Sequence, residues 1–168
     1  MPKIIENLEC RLIGAARRQL RESGYSAMTI RSVAKECAVG VGTVYNYFPS
    51  KDDLIAAYML EDWKVCVDAI EEASRQADSP RQILLCIHRQ LCQYADQNRG
   101  LFQDEAAASS YAGGFGRYHG RLREQLARPL RRFCPDDFTA SFLAEAMLTW
   151  TMAGRAFDEI YGVLSKLL

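Results

Sequence analysis

Asn46 lies in a short stretch, residues 41–47, that would present small and polar groups together on one side if helical. At about 100° per residue with Val41 at zero, Val44 and Phe48 fall near about 300° and 340°, and Gly42, Asn46 and Thr43 near about 100°, 140° and 200°. The two apolar residues would anchor such a helix and leave its opposite face free. An asparagine there can read adenine through a bidentate pair of hydrogen bonds in the major groove of DNA. The small residues beside it let the backbone come close, and Tyr45 and Tyr47 flank the face with hydroxyls that can reach phosphates.

The other chemistry-bearing groups are weaker. His88 and Cys92 stand four apart and could jointly face a metal, but Cys86 lies about 120° or more away and no third ligand is evident. A partly buried histidine and small thiols filling core gaps account for them better. Cys10, Cys37, Cys66, Cys86, Cys92 and Cys134 form no C-x-x-C pair, and the first ten residues lack the apolar core of a signal peptide. Reduced thiols in a cytoplasmic protein are expected, with no metal and no cofactor. Nothing places a cation consistently beside any one cysteine, which argues against a redox switch. No nucleophile and base form a recognisable motif, no phosphate loop is present, and an enzyme is not expected.

The elements that must position Asn46 are helical. Ile5, Leu8, Leu12, Ala16 and Leu20 step by three or four and form one stripe, so a first helix is expected to end at Gly24. Thr29 offers an N-cap oxygen to a second, short helix with Ile30, Val33 and Ala34 on one side, stopping near Cys37. Residues 38–40 make a tight turn, a third short helix follows from about Val41 to Tyr47, and Pro49 breaks it. Two short helices joined by a three-residue turn and preceded by a longer one have helix-turn-helix geometry.

Beyond Ser50 the helical signals continue. A long fourth helix is expected to about Ala77, with Asp52 and Asp53 in its first turn, and a fifth after Ser79-Pro80. Gly100 is expected to separate a sixth helix, residues 112–114 to form a loop before a seventh from about Phe115 to Phe133, and residues 135–137 to cap an eighth. A last helix is expected from about Phe157 to Leu168.

The chain of 168 residues is 49% hydrophobic and 25% charged, enough for one domain or two small ones with a real core and no staples. Disorder is excluded. Its 21 basic and 21 acidic residues balance, but residues 1–55 are mildly basic and 56–110 acidic, a weak argument for nucleic acid. The longest apolar stretch, Phe138–Gly154, contains Glu145 and falls short of about 18 uninterrupted apolar residues, so no membrane span is expected.

The sequence closely resembles the tetracycline-repressor (TetR/AcrR) family of bacterial transcriptional regulators. The resemblance rests on Gly24-Tyr25, Thr29-Ile30, Val33-Ala34 and the unbroken run from Cys37 to Leu54, about a third of the chain. In the turn, Ala38 replaces the usual Gly and Gly40 the usual Ser, so Ala38 is expected to accept left-handed geometry at a cost of about 1 kcal/mol. The resemblance implies an all-α fold with a DNA-binding head over residues 1–50 and a ligand-binding and dimerisation bundle over 51–168. It implies a homodimer on a palindromic double-stranded operator, released by a small-molecule effector. Carried over residue by residue, Thr29 and Arg31 hold phosphates, Val41, Gly42, Thr43 and Asn46 face base edges, and Tyr45, Tyr47 and Lys51 clamp phosphates.

Trp63, His88, Phe102, Tyr111 and Tyr118 are the residues expected around an apolar or aromatic effector, since aromatics with polar tips suit a pocket with a few orienting hydrogen bonds. The arginines between Arg117 and Arg132 read as a solvated face that could meet acids around Glu71, Glu72 and Asp78. Residues 138–154 are apolar almost all round, which implies a partner for the side a single core cannot cover. The rival readings are an enzyme, tested by turnover of common ester and thiol substrates, and a helical adaptor that kept the head without binding DNA. A gel shift with the DNA flanking its own gene separates the adaptor from a repressor.

Overall fold

The computed structural model describes the backbone of residues 7–168 and the side chains of these except 108–117. Every regular element among the described residues is helical, as expected. In order they are α1 (Leu8–Ala27), α2 (Ile30–Glu36), α3 (Val41–Tyr47), α4 (Lys51–Gln76), α5 (Pro80–Gln97), α6 (Arg99–Phe102), α7 (Glu105–Leu130), α8 (Asp137–Met152) and α9 (Phe157–Leu164), with 3₁₀ turns at Arg131–Phe133 and Ser165–Leu167.

α1 buries Leu8, Leu12, Ala16 and Leu20 in one stripe, and its backbone leaves helical geometry at Gly24 (φ 81°) before one more turn to Ala27. Thr29 caps α2 as expected, its hydroxyl accepting from the Ser32 N–H at 3.0 Å. Two expectations are corrected. Gly100 lies inside α6, and the break after α5 falls at Asn98. Residues 112–114 form no loop, because α7 runs unbroken from Glu105 to Leu130. The Asp104 carboxylate starts that helix early by accepting from the N–H groups of Ala106 and Ala107, each at 3.0 Å. Once a helix is nucleated each residue adds a hydrogen bond, and a glycine costs only about 1 kcal/mol relative to alanine.

Packing divides the chain into two units. The first comprises the chain up to Asp62 together with Asn98–Ala112; the second comprises Trp63–Gln97 and Gly113–Leu168. In the first, Leu12, Met28, Val33, Val44, Leu54 and Ile55 are fully buried. Arg17 ties α1 to α4 through Glu61 at 3.0 Å and Asp62 at 2.9 Å, with its guanidinium over the Tyr58 ring. The Tyr58 hydroxyl donates to Asn98 Oδ1, and both residues are almost wholly buried.

In the second unit, Ile83, Leu84, Ile87 and Leu91 of α5 share a core with Leu126 and Leu130 of α7 and Leu143 and Met147 of α8. Arg128 meets Glu71 at 3.1 Å, the contact foreseen between the arginine run and the acidic surface. His119 of α7 donates to Glu145 of α8 at 2.9 Å. Among the described residues no helix is long and apolar enough to cross a membrane.

Burial gives the fold an alkaline limb. It pushes the Tyr58 hydroxyl up from 10.0 to about 12 and the Cys66 thiol from 9.0 to about 12. The folded chain therefore holds protons that the unfolded chain gives up, so this stability is complete below about pH 9 and is lost as pH rises toward 12. Urea titrations across this range should show that fall, and Tyr58→Phe combined with Cys66→Ala should flatten it. An unaltered profile in the double variant would contradict the assignment.

Candidate nucleic-acid interface

α3 takes the phase read from its sequence. Val44 and Phe48 are buried and fasten it to the head, while Gly42, Tyr45, Asn46 and Tyr47 are exposed and Val41 and Thr43 half-buried. Tyr45 and Tyr47 keep 50% and 42% of their surface, unusual for aromatics with an apolar core so near. α3 carries no charged side chain.

The turn before α3 is built by backbone. Ala38 adopts φ 55°, the left-handed geometry foreseen, and Gly40 caps α3 without a side-chain hydrogen bond. A β-carbon in that region costs roughly 1–2 kcal/mol, against about 0.5–1 kcal/mol of extra chain entropy for glycine. Ala38→Gly should therefore raise stability by about 0.5–1 kcal/mol in denaturant titrations. A loss of stability would show that the alanine methyl makes a contact worth more than the strain.

Thr29 and Ser32 form a reciprocal capping box, and Arg31 beside them is exposed. Lys51, the first residue of α4, is turned toward the head. Its ammonium donates to the Tyr25 carbonyl and lies 3.8 Å from the centre of the Tyr25 ring. Burial moves its pKa down, against the pull of Asp52 and Asp104. The Tyr25 hydroxyl donates to Asp52 at 2.9 Å, so Tyr25 holds the first turn of α4 from two sides. Sequence reasoning gave Tyr25 no role, although Tyr25 and the Lys51-Asp52 pair were both part of the resemblance.

The residues expected around an effector lie on several helices. Trp63 is buried in the second unit, donating to Gln125 at 2.8 Å and meeting Tyr94 edge to face. His88, on the same helix as Tyr94, is directed to the corner between α8 and α9, where its Nε2 donates to the Arg155 carbonyl at 3.0 Å and its ring meets Phe157. Cys92 Sγ lies 3.7 Å from His88 Nδ1, so the pair does share a face. Tyr118 is exposed, Phe102 is half-buried in the first unit, and Tyr111 lies outside the residues whose side chains are described. Among the described residues no three His, Cys, Asp or Glu side chains gather as a metal site would need.

The α8–α9 face carries exposed apolar side chains. Phe138, Phe142, Trp150 and Val163 all stand out from the surface, Phe138 with 78% of its area free. Phe142, Trp150, Ile160 and Val163 line a shallow groove of about 390 Å³, with Arg155 and Glu159 on its walls.

Residues 12–58 match the family model for bacterial regulatory proteins of the tetR family. The HTH-type transcriptional regulator HbdR of Aromatoleum sp. (strain CIB) is 34% identical over 82 residues, which are 49% of this chain and 32% of that protein. The chain thus matches about a third of that relative's length. Among solved structures, a TetR-family transcriptional regulator from Streptomyces coelicolor superposes with a TM-score of 0.67 at 18% identity, over 95% of this chain and 99% of that one. RolR in complex with resorcinol superposes with a TM-score of 0.63 at 20% identity, over 95% and 86%. These two likenesses concern the fold.

Proposed function

We propose that this chain, whose residues 12–58 match the family model for bacterial regulatory proteins of the tetR family, is a DNA-binding transcriptional regulator of that family acting as a ligand-responsive repressor in the cytoplasm. It binds a palindromic operator as a homodimer and lets go when a small apolar or aromatic effector binds. The observation that carries this reading is the outward face of α3, where Gly42, Thr43 and Asn46 stand clear of a core that holds Val44 and Phe48. Val41, Gly42, Thr43 and Asn46 face base edges; Thr29, Arg31, Tyr45, Tyr47 and Lys51 hold phosphates. The exposed apolar face of α8 and α9 supports a second copy as partner. The effector reading draws support from the resorcinol complex of RolR, a protein of the same fold, and from the aromatic content of the second unit. Trp63, His88 and Tyr118 are its proposed contacts in that unit.

Selection from random duplexes tests the reading directly: a palindromic motif should emerge. Asn46→Ala should then relax preference at one position of each half-site by about 1–3 kcal/mol. A motif unchanged by that substitution would remove Asn46 from base reading, and failure to select any motif would favour the adaptor.

A further inference from the structure

Cys10 and Cys37 line one open groove on the first unit, about 350 Å³ in volume, together with Arg11, Arg18 and Glu36. The thiols come from different elements, Cys10 from the first turn of α1 and Cys37 from the residue that ends α2. Cys10 is exposed. Cys37 is buried, and its S–H donates to the Arg11 carbonyl at 3.5 Å while the Arg11 guanidinium donates to the Cys37 carbonyl at 2.9 Å. This exchange fastens the end of α2 to α1 one residue before the left-handed Ala38, the joint from which α3 departs.

We propose that Cys10 and Cys37 are an oxidisable dithiol, which a hydroperoxide converts to a disulfide that removes the S–H half of the Arg11–Cys37 exchange and weakens DNA binding by α3. The second half of this rests on the DNA-reading role assigned to α3 above. No cation stands consistently beside any cysteine along the chain; the fold brings Arg11, and Arg18 paired with Glu36, to the wall of this groove. Cys10 is exposed and Cys37 buried, with burial holding the Cys37 thiol above its ordinary value against the pull of Arg11, so a hydroperoxide entering the groove meets Cys10 first.

The Cys10 thiolate attacks one peroxide oxygen, the O–O bond breaks, and the departing oxygen takes a proton to leave as water or alcohol. Cys10 is then a sulfenic acid. Cys37 gives up its proton and attacks the Cys10 sulfur; the S–O bond breaks, and the hydroxide leaves with that proton as water. Two electrons pass from two thiols to one peroxide. The S–H donor to Arg11 is consumed in forming the S–S bond. Cys10 has room to adjust, because the first N–H groups of α1 have no partner within the helix and Asn7 provides no side-chain cap.

The full chain is treated with hydrogen peroxide, its thiols are alkylated and mapped by mass spectrometry, and its affinity is measured for a duplex selected by the reduced protein. The expected result is a Cys10–Cys37 link and a fall in affinity of about tenfold or more, reversed by dithiothreitol. Cys10→Ser should hold its affinity under peroxide. Cys37→Ser, which keeps a hydroxyl to donate to Arg11, should bind DNA when reduced and resist the oxidant as well. Free alkylation of both cysteines after peroxide, a link to another cysteine, or an equal loss of affinity in Cys10→Ser would each overturn the proposal. Should the reduced protein select no duplex, the reading of α3 fails while the thiol map still decides whether the dithiol exists.

Discussion

Trp150→Glu combined with Val163→Glu should give a protein that sediments as a monomer and loses operator affinity by about a thousandfold or more, the gap that separates specific from non-specific binding in many such proteins. Both side chains keep half or more of their surface exposed and line the groove between α8 and α9. Placing carboxylates there removes apolar area from the proposed interface and sets like charges across a two-fold axis. Because neither residue belongs to the core, secondary structure by circular dichroism should survive in the monomer. A wild-type protein that is already monomeric by light scattering at micromolar concentration would end the proposal, as would a double variant that remains dimeric.

Asn98→Ala should lower stability by about 2–4 kcal/mol. For a chain of this size that is a drop in melting temperature of roughly 5–15 °C. Asn98 and Tyr58 are nearly inaccessible to water, so the substitution opens a void and removes the acceptor of the buried Tyr58 hydroxyl at once. Tyr58→Phe removes the other partner and keeps the ring, so it should cost less, about 1–3 kcal/mol. In the double variant the two costs should fall short of their sum, since the second change removes a group already left unpaired. A single-variant loss under about 1 kcal/mol would mean that water or another side chain takes over the hydroxyl.

Much of the head was legible because its information is local. The phase of α3 follows from 100° per residue and the identities of Val44 and Phe48, and the strain at Ala38 was implied by the resemblance, which has glycine at that place in the turn. α7 was misjudged for a reason of the same scale. Residues 112–114 contain two glycines and look like a loop, but what decides is the nucleus at Asp104, eight residues before the first of them, and the cooperativity of the helix that grows from it. The effector residues were least legible. A period places an aromatic on a face, but whether it meets its own core or a cavity depends on the helix packed against it. Trp63 donates to Gln125 and His88 to Arg155, partners far away in sequence that no local pattern announces.

The uncharged surface of α3 also bears on how such a head finds its site. Attraction to arbitrary duplex comes almost wholly from phosphate neutralisation, each ionic contact adding about 0.9 to the salt slope. In the proposed role α3 brings none of these contacts and leaves that attraction to charges outside it, Arg31 and Lys51 among the proposed phosphate contacts. On that proposal, arbitrary duplex would retain few copies, the free pool would stay close to the total, and a small number of molecules would suffice to keep an operator occupied.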